Sequence, residues 1–193
     1  KLLKPLHDSI KIHKVTPLVL EAALTTVSPD GVASLFPIDA LPIEKEESSF
    51  IVALDRLQDP GNLGTIFRTA LAAEVDAIWL ALGADPLNQK VLRSSAGAVL
   101  HLPYRRFGVT ENFAIEELTK KIKLAACNGF QIVASFGPNS SSSNLIVPYW
   151  EVDWMKPTIL VLGNEGKGIH PLIQACCTHS VTLPHSEAVE SLN

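Results

Sequence analysis

Short apolar runs alternate with amphipathic segments from about residue 49 onward. The runs are rich in Val, Ile and Leu and lie at 50–57, 76–82, 98–103, 130–135, 158–162 and 179–183. Helical spacing of apolar positions occurs between most of them, at 62–73, 85–95, 111–127 and 169–177. This alternation predicts an α/β fold, a parallel sheet with helices on both faces. Ligands of such sheets bind beyond the carboxyl ends of the strands, so the loops that follow the strands are where chemistry is expected.

The first 43 residues follow a different pattern. They contain five prolines and one amphipathic segment, at 17–25, while GVASLFPI at 31–38 predicts a short strand. The charged and polar run IEKEESS at 43–49 predicts a linker. Two domains are therefore expected, at 1–43 and 49–193.

The composition is that of a folded protein. Of 193 residues, 47% are hydrophobic and 19% are charged, which argues against disorder. No apolar run approaches the roughly 18 residues that a membrane span needs, and no secretory leader is visible. Cys127, Cys176 and Cys177 form an odd set without the spacing of a metal site. They predict structural thiols in a reducing compartment, the cytoplasm, with no membrane partner and no bound metal.

The charge distribution leaves two interpretations open. The net charge of −4 is poor support for a nucleic-acid partner. However, the stretch 90–123 holds seven basic residues against three acidic ones, and a local basic patch can steer a polyanion. The alternative is a solvated surface with ordinary ion pairs. The basic residues are Lys90, Arg93, Arg105, Arg106, Lys120, Lys121 and Lys123.

The loop after the first predicted strand reads DPGNLGTIFR, at 59–68. Pro60 and Gly61 predict a tight turn, which places Asn62 at the start of the next helix and Arg68 further along it. Asn62 is either a helix N-cap or a polar group turned toward a site. Arg68 is either a solvated charge or a ligand-binding one, and neither residue alone decides the question.

A second loop, LVLGNEGKGI at 160–169, follows the fifth predicted strand. Its glycines, beginning with Gly163, expose backbone N–H groups that suit polar or anionic ligands. The spacing matches neither a P-loop nor the dinucleotide fingerprint. Glu165 would repel a phosphate, so it suits a ligand with hydroxyls, amines or a positive centre, or it orients a nearby Arg. The alternative is that Glu165 caps the following helix.

The third loop is LPHSEAVESLN, at 183–193. A strand ends at Leu183, and Ser191, Leu192 and Asn193 would open a helix for which Ser191 is a plausible N-cap. Taken alone, this loop carries almost no information about function.

In this order and at these separations, the three loops together resemble the SpoU (TrmH-type) branch of the SPOUT RNA methyltransferases. The resemblance spans residues 50–193 and includes RSSAGA at 93–98 and VDWMKP at 152–157. Residues 16–38 are similar to the end of the small L30e-like α/β substrate-binding domain that precedes the catalytic domain in many members. The chain stops at Asn193, before the family's last helix, so we expect a truncated knot and only a remnant of the first domain.

The resemblance implies a C-terminal trefoil knot, a homodimer formed through the knot region, and S-adenosylmethionine as methyl donor. It implies methyl transfer to a ribose 2′-hydroxyl of RNA, and we expect ribosomal RNA rather than tRNA. The adenosyl-binding positions, by motif matching, are Gly163, Leu183 and Leu192. The catalytic positions, by the same matching, are Asn62, Arg68, Glu165, Ser191 and Asn193. The basic residues expected to bind RNA are Arg68, Arg93, Arg105 and Arg106.

The residue types suit the implied reaction. A guanidinium is a poor base, so Arg68 is expected to engage the phosphate or hydroxyl of the target nucleotide electrostatically. Glu165 is expected to orient Arg68 or Asn62, while the Ser191–Asn193 segment supports the donor pocket. One departure lies in the third loop, where the family often has Gly and this chain has Glu187.

Two other functions are compatible with an α/β fold of this size. An RNA-binding paralogue that has lost methyl transfer would keep the fold, but the intact motif residues count against it. A nucleotide-dependent oxidoreductase is disfavoured, because no Gly-rich fingerprint follows the first strand and no acid at the end of the second strand could hold a ribose.

Overall fold

The chain divides into two compact units, Lys1–Ala40 and Leu41–Asn193. The structure, a computed structural model, describes residues 10–24, 29–35, 37–137 and 146–184. In the first unit, helix α1 (Pro17–Ala23) begins after Thr16, whose hydroxyl accepts a hydrogen bond from the Val19 N–H at 3.4 Å. The helix predicted at 17–25 is therefore confirmed as far as Ala23.

The strand predicted at 31–38 is wrong in its described residues. They form no strand, and a 3-10 turn occupies Ile38–Ala40. Val32 and Leu35 are exposed, so these apolar side chains are not buried as those of a packed strand would be.

Within the described residues, seven parallel strands form one sheet in the second unit. The strands are β1 (Phe50–Asp55), β2 (Ala77–Ala81), β3 (Tyr104–Phe107), β4 (Gln131–Phe136), β5 (Ile146–Pro148), β6 (Thr158–Leu162) and β7 (His179–Thr182). Their order across the sheet is β3-β2-β1-β6-β4-β7-β5, and each neighbouring pair is parallel. The central strands are covered on both faces, which explains their nearly continuous apolar sequences.

Helices cover both faces of the sheet, and the predicted fold class is confirmed. The helices are α2 (Pro60–Ala72), α3 (Gln89–Ser94), α4 (Glu111–Cys127) and α5 (Pro171–Gln174). Side chains of a strand alternate between faces. In β2, Ile78 and Leu80 pack with α2 and α3, while Trp79 packs with α4. The segment that would carry the knot lies beyond Pro184, outside the described residues.

The strand predicted at 98–103 is misplaced. Ala98–Leu100 forms a 3-10 turn, and the strand in this region is β3, at Tyr104–Phe107. Ala98 and Leu102 are buried in the cluster around α2, so the apolar run reflects packing beneath a helix. β3 is an edge strand and needs little apolar sequence.

The sequence also misplaced two helix starts. The helix predicted from residue 85 begins later: Asp85 lies in a turn, where its carboxylate accepts from Leu87 N–H, and α3 begins after Asn88. The helix predicted at 169–177 is the single turn α5, which begins after His170.

None of the described helices is both long and apolar enough to cross a membrane. Cys127, Cys176 and Cys177 form no disulfide; of these three, only Cys177 is buried, and Cys127 is exposed at the end of α4. Burial raises the pKa of Cys177 to about 12, which makes its thiol unreactive.

Candidate active site

The loop after β1 is shaped by Asp59 and not by Asn62. Asp59 is the N-cap of α2, and its carboxylate accepts a hydrogen bond from Asn62 N–H at 2.8 Å. That bond, more than the nearby ion pair with Lys90, holds the pKa of Asp59 below its usual range. The N-cap interpretation of Asn62 is therefore wrong, because Pro60 at the first position of α2 leaves the capping place to the residue before it. The Asn62 side chain remains available to the site.

Glu165 faces the loop that carries Asn62. Its carboxylate oxygens lie 3.4 Å from the backbone nitrogens of Gln58 and Asp59 and 3.5 Å from the side-chain nitrogen of Asn62. These contacts are at the long end of hydrogen bonding, and together they give one carboxylate three donors. The capping interpretation of Glu165 is wrong, since the cap of α5 is His170. The structure thus brings together two of the sequence-predicted site residues, Asn62 and Glu165.

The loop that carries Glu165 is closed on itself. Asn164 and Gly168 exchange backbone hydrogen bonds of 3.0 and 2.9 Å, and the Asn164 side chain accepts from Gly166 and Lys167 N–H groups. A Cβ at Gly163 would lie 2.5 Å from the backbone of Gly168. Only glycine therefore permits this closure at the end of β6.

The same loop is tied to the end of β1 by two residues that sequence reasoning missed. The Asp55 carboxylate accepts from His170 N–H at 2.6 Å, and the Arg56 carbonyl accepts from the Asn164 side chain at 2.9 Å. Asp55 is fully buried, and Arg56 is nearly so. No local signal marked them, because charged residues next to a strand end are usually exposed.

Arg56 is held by two carboxylates. Its guanidinium makes two contacts with Asp55, at 2.7 and 3.1 Å, and one with Glu111 at 2.7 Å. The hydrogen bond to Asp55 is the main cause that raises the pKa of Arg56, against the opposing effect of burial. The bond from Arg56 in turn lowers the pKa of Glu111. Arg56 and Glu111 are therefore charged at neutral pH.

Arg68 lies apart from Asn62. The two residues are six positions apart on α2, about 9 Å along the helix axis and about 120° around it, so their side chains diverge. Arg68 is exposed, and its side chain makes no hydrogen bond or ion pair with any residue in the described part of the chain. The expectation that Glu165 orients Arg68 is therefore not met in this chain, where the Glu165 carboxylate contacts Asn62.

The third loop is described only at its start. Leu183 follows β7 and is 53% exposed. Leu183 follows β7 and Gly163 follows β6, so both lie at the carboxyl edge of the sheet. One strand, β4, lies between them. Ser191, Leu192 and Asn193, with Glu187, lie outside the described residues.

The basic stretch is divided by the sheet and does not form the single patch that its sequence suggested. Arg105 pairs in register with Trp79 and lies 5.3 Å over the Phe107 ring, on the α4 face. Arg106 pairs with Leu80 on the opposite face, and its guanidinium donates to the Gly83 carbonyl at 3.1 Å. The alternation of a strand explains the division of these adjacent residues.

Arg93 lies on an element that covers the same face of the sheet as Arg106. It is exposed on α3, which packs on the same face of the sheet as α2 and Arg68. Lys121 lies with Arg105, because its ammonium sits 5.0 Å over the Trp79 ring.

Comparison with known proteins identifies the family. Residues 49–193 match the model of the SpoU rRNA Methylase family. The chain belongs to the SpoU family. It is 36% identical over 188 residues to an uncharacterized tRNA/rRNA methyltransferase of Synechocystis, which covers 96% of this chain and 64% of that protein. It is 29% identical over 190 residues to the 23S rRNA (guanosine(2553)-2′-O)-methyltransferase RlmP of Bacillus subtilis, covering 97% of this chain and 69% of RlmP.

Solved structures of SpoU relatives share the fold. The AdoMet complex of the SpoU methyltransferase AviRb from Streptomyces viridochromogenes aligns with a TM-score of 0.64 and 25% identity, over 81% of this chain and 56% of AviRb. A TrmH-family protein of Porphyromonas gingivalis, named a putative RNA methyltransferase, aligns with a TM-score of 0.69 and 27% identity, over 97% of this chain and 67% of that protein. The chain thus spans 64% of its Synechocystis relative and 56% of AviRb.

Proposed function

We propose that this chain carries the catalytic domain of an S-adenosylmethionine-dependent methyltransferase that modifies a ribose 2′-hydroxyl of RNA, in ribosomal RNA rather than tRNA. The observation that carries the proposal is the meeting of Asn62 and Glu165 from two separate motif loops at the carboxyl edge of the sheet. The name of the RlmP relative, a 23S rRNA 2′-O-methyltransferase, supports both the position of methylation and the kind of RNA.

The described residues fit the adenosyl part of the donor. Gly163 and Leu183 lie at this edge with one strand between them. Gly163 offers backbone groups, and Leu183 offers an exposed apolar side chain. A neutral, largely aromatic group suits such surroundings. S-adenosylmethionine, when bound, supplies a methyl group on a positively charged sulfur. Leu192 would complete this subsite.

Within this proposal, the chain's residues act by positioning and by charge. Glu165 fixes the Asn62 amide and the Gln58–Asp59 backbone, so that the loop after β1 is preorganised for the ribose. Holding reactants in line can lower a barrier by roughly 7–11 kcal/mol. Arg68, exposed on α2, engages the phosphate or the hydroxyl of the target nucleotide. Ser191 and Asn193 support the site from the third loop.

We assign the RNA to the face covered by α2 and α3. This face carries Arg68 on α2, Arg93 on α3 and Arg106 on β3. The Arg106 guanidinium donates to the carbonyl of Gly83, which follows the carboxyl end of β2. Arg105, on the opposite face, becomes the weakest of the four RNA-binding candidates. Contacts of this kind position the RNA backbone without reading its sequence.

The proposal also includes a homodimer through the knot region and a cytoplasmic location. The family resemblance supports the dimer. Three cysteines without a disulfide support a reducing compartment.

The test uses the full-length protein. S-adenosylhomocysteine is titrated calorimetrically, and methyl transfer to ribosomal RNA and to tRNA is measured, with the modified position identified by mass spectrometry. Arg68→Ala should lower kcat by about a hundredfold and leave S-adenosylhomocysteine affinity within about twofold, since Arg68 lies on α2 and not on the loops that hold Gly163 and Leu183. Lys120→Ala is the matched control, because it also removes one exposed positive charge, but on the α4 face. It should keep full activity.

Each negative outcome has its own meaning. Binding of RNA and of S-adenosylhomocysteine without transfer would favour the inactive paralogue. Transfer to a base in place of the ribose would overturn the assigned position. Unchanged transfer by Arg68→Ala would overturn the role of Arg68.

A further inference from the structure

Both ends of the Glu165 loop are fastened to two adjacent residues, Asp55 at the end of β1 and Arg56 directly after it. At its start, the Asn164 amide donates to the Arg56 carbonyl at 2.9 Å. At its end, His170 N–H donates to the Asp55 carboxylate at 2.6 Å. Between these anchors lies Glu165, which faces Asn62. The position of the Glu165 carboxylate therefore depends on Asp55 and Arg56.

Arg56, which anchors the start of the Glu165 loop, has an uncommon backbone conformation. Its φ is +55°, in the left-handed region that residues with a Cβ seldom adopt. In this conformation, its N–H donates to the Ala81 carbonyl at 3.0 Å, while its own carbonyl accepts from Asn164 and from the Gln58 side chain. Such a conformation persists where the surroundings determine it, and it is typical of functional regions.

The side chains secure the same arrangement. Two contacts join the Arg56 guanidinium to Asp55, and a third joins it to Glu111 at the start of α4. A buried ion pair adds little net stability compared with well-packed apolar residues, because both charges lose their hydration. The pair fixes geometry: it holds the Asp55 carboxylate in place for His170 and Arg56 in its left-handed turn.

We propose that Asp55 and Arg56 are positioning residues that set the Glu165 carboxylate against Asn62. This inference rests on the proposed function, because its main readout is methyl transfer. Neither residue belongs to the three loops that carry the family motifs, and both act through the loop that contains Glu165.

The test is a double-mutant cycle between Asp55→Asn and Glu165→Gln in the full-length protein. Asp55→Asn keeps the shape of the side chain and removes its charge. Alone, it should lower kcat about tenfold. In the Glu165→Gln background it should lower kcat less than about twofold, since residues that act through one group are not additive. An equal loss in both backgrounds would overturn the inference.

Asp76→Asn is the matched control for stability. The Asp76 carboxylate accepts backbone N–H groups at the opposite end of β1, from Ser49 at 2.7 Å and Phe50 at 2.9 Å. This variant should lower the melting temperature and keep kcat. A loss of kcat in Asp76→Asn as large as that in Asp55→Asn would reduce the role of Asp55 to general stability.

A second variant and a second measurement test the same positioning role. If Asp55→Asn does not fold, Arg56→Lys keeps a positive charge beside Asp55 and removes the fork of the guanidinium, and it enters the same cycle. Hydrogen exchange of the 164–170 amides needs no methyl transfer, so it separates this inference from the proposed function. Exchange should be faster in Asp55→Asn than in Asp76→Asn, and equal rates would overturn the inference.

Discussion

A side-chain oxygen of Glu165 lies 3.5 Å from the amide nitrogen of Asn62, although 103 residues separate the two along the chain. The strands that precede them, β6 and β1, are neighbours in the sheet, so their loops emerge side by side. The same carboxylate also faces the backbone N–H groups of Gln58 and Asp59. The shape of the loop after β1 thus depends on a charge supplied by the loop after β6.

Replacing Glu165 with Gln should impair turnover more than donor binding. Gln keeps one acceptor oxygen but points an NH₂ group at donors that now face a carboxylate. We expect kcat for RNA methylation to fall by about tenfold or more, because the ribose-facing loop loses its fixed geometry. S-adenosylhomocysteine affinity, measured by calorimetry, should change by less than about twofold.

Glu151→Gln is the matched control for this prediction. Glu151 is exposed in the 3-10 turn that follows the edge strand β5, outside the sequence of both loops, and its replacement removes the same charge. It should keep normal kcat. A Glu165→Gln enzyme with normal turnover would show that the contact with Asn62 has no part in the reaction.

The sequence was sufficient for the centre of the sheet and insufficient for its edge and for the anchors of the site. β1 and β6 are covered on both faces, so their apolar runs were unambiguous. β3 is an edge strand that carries two exposed arginines, and the buried turn at Ala98–Leu100 has a stronger apolar pattern than the strand itself. Local sequence cannot distinguish packing beneath a helix from packing in a sheet.

The site was predicted in part for similar reasons. Asn62 and Glu165 were identified from their motif loops, but Asp59 and Asn62 are both good N-caps, and only the position of Pro60 decides between them. Asp55 and Arg56 were missed because their roles arise from contacts with Asn164 and His170, more than 100 residues away in sequence. Pairing over such a distance leaves no local pattern.

Arg105 and Arg106 offer an internal test of the RNA face. Each loses one positive charge on mutation to Ala, yet the two side chains lie on opposite faces of the sheet. Arg106→Ala should weaken RNA binding and reduce the slope of log affinity against log salt by about one. Arg105→Ala should change neither. Equal effects, measured by filter binding across salt concentrations, would contradict the assignment of RNA to the α2 and α3 face.

Gly64→Ala should destabilise the protein although Ala is the better helix former. A Cβ at this position would lie 1.9 Å from the Ser94 hydroxyl and 2.8 Å from the Ser95 nitrogen, where α2 and α3 meet. Overpacking of this kind costs about 1–3 kcal/mol, more than the roughly 1 kcal/mol gained in helix propensity. Urea unfolding measures the difference. Thr69→Ala, on the exposed side of α2, should stay within about 0.5 kcal/mol of the parent, and an equally stable Gly64→Ala would refute the close approach.

Asp76 should make stability depend on pH in the acidic range. Burial alone would raise the pKa of Asp76, but the hydrogen bonds from Phe50 and Ser49 outweigh it and lower the pKa. A carboxyl whose pKa is lower in the folded state stabilises fully above its unfolded pKa of about 3.9 and loses that contribution as the pH falls through the folded value. Asp76→Asn should therefore be less stable by about 1 kcal/mol at pH 7.

The difference between Asp76→Asn and the parent should close as the pH falls below about 4, because the protonated parent then carries an uncharged group as well. Asp76→Ala separates the charge from the acceptor atom. It leaves the Ser49 and Phe50 N–H groups without this partner at every pH, so its deficit should remain in acid. Urea unfolding of the three proteins at pH 7, 5 and 3.5 measures both effects. A gap for Asp76→Asn that persists unchanged in acid would mean that the carboxylate charge does not stabilise the start of β1.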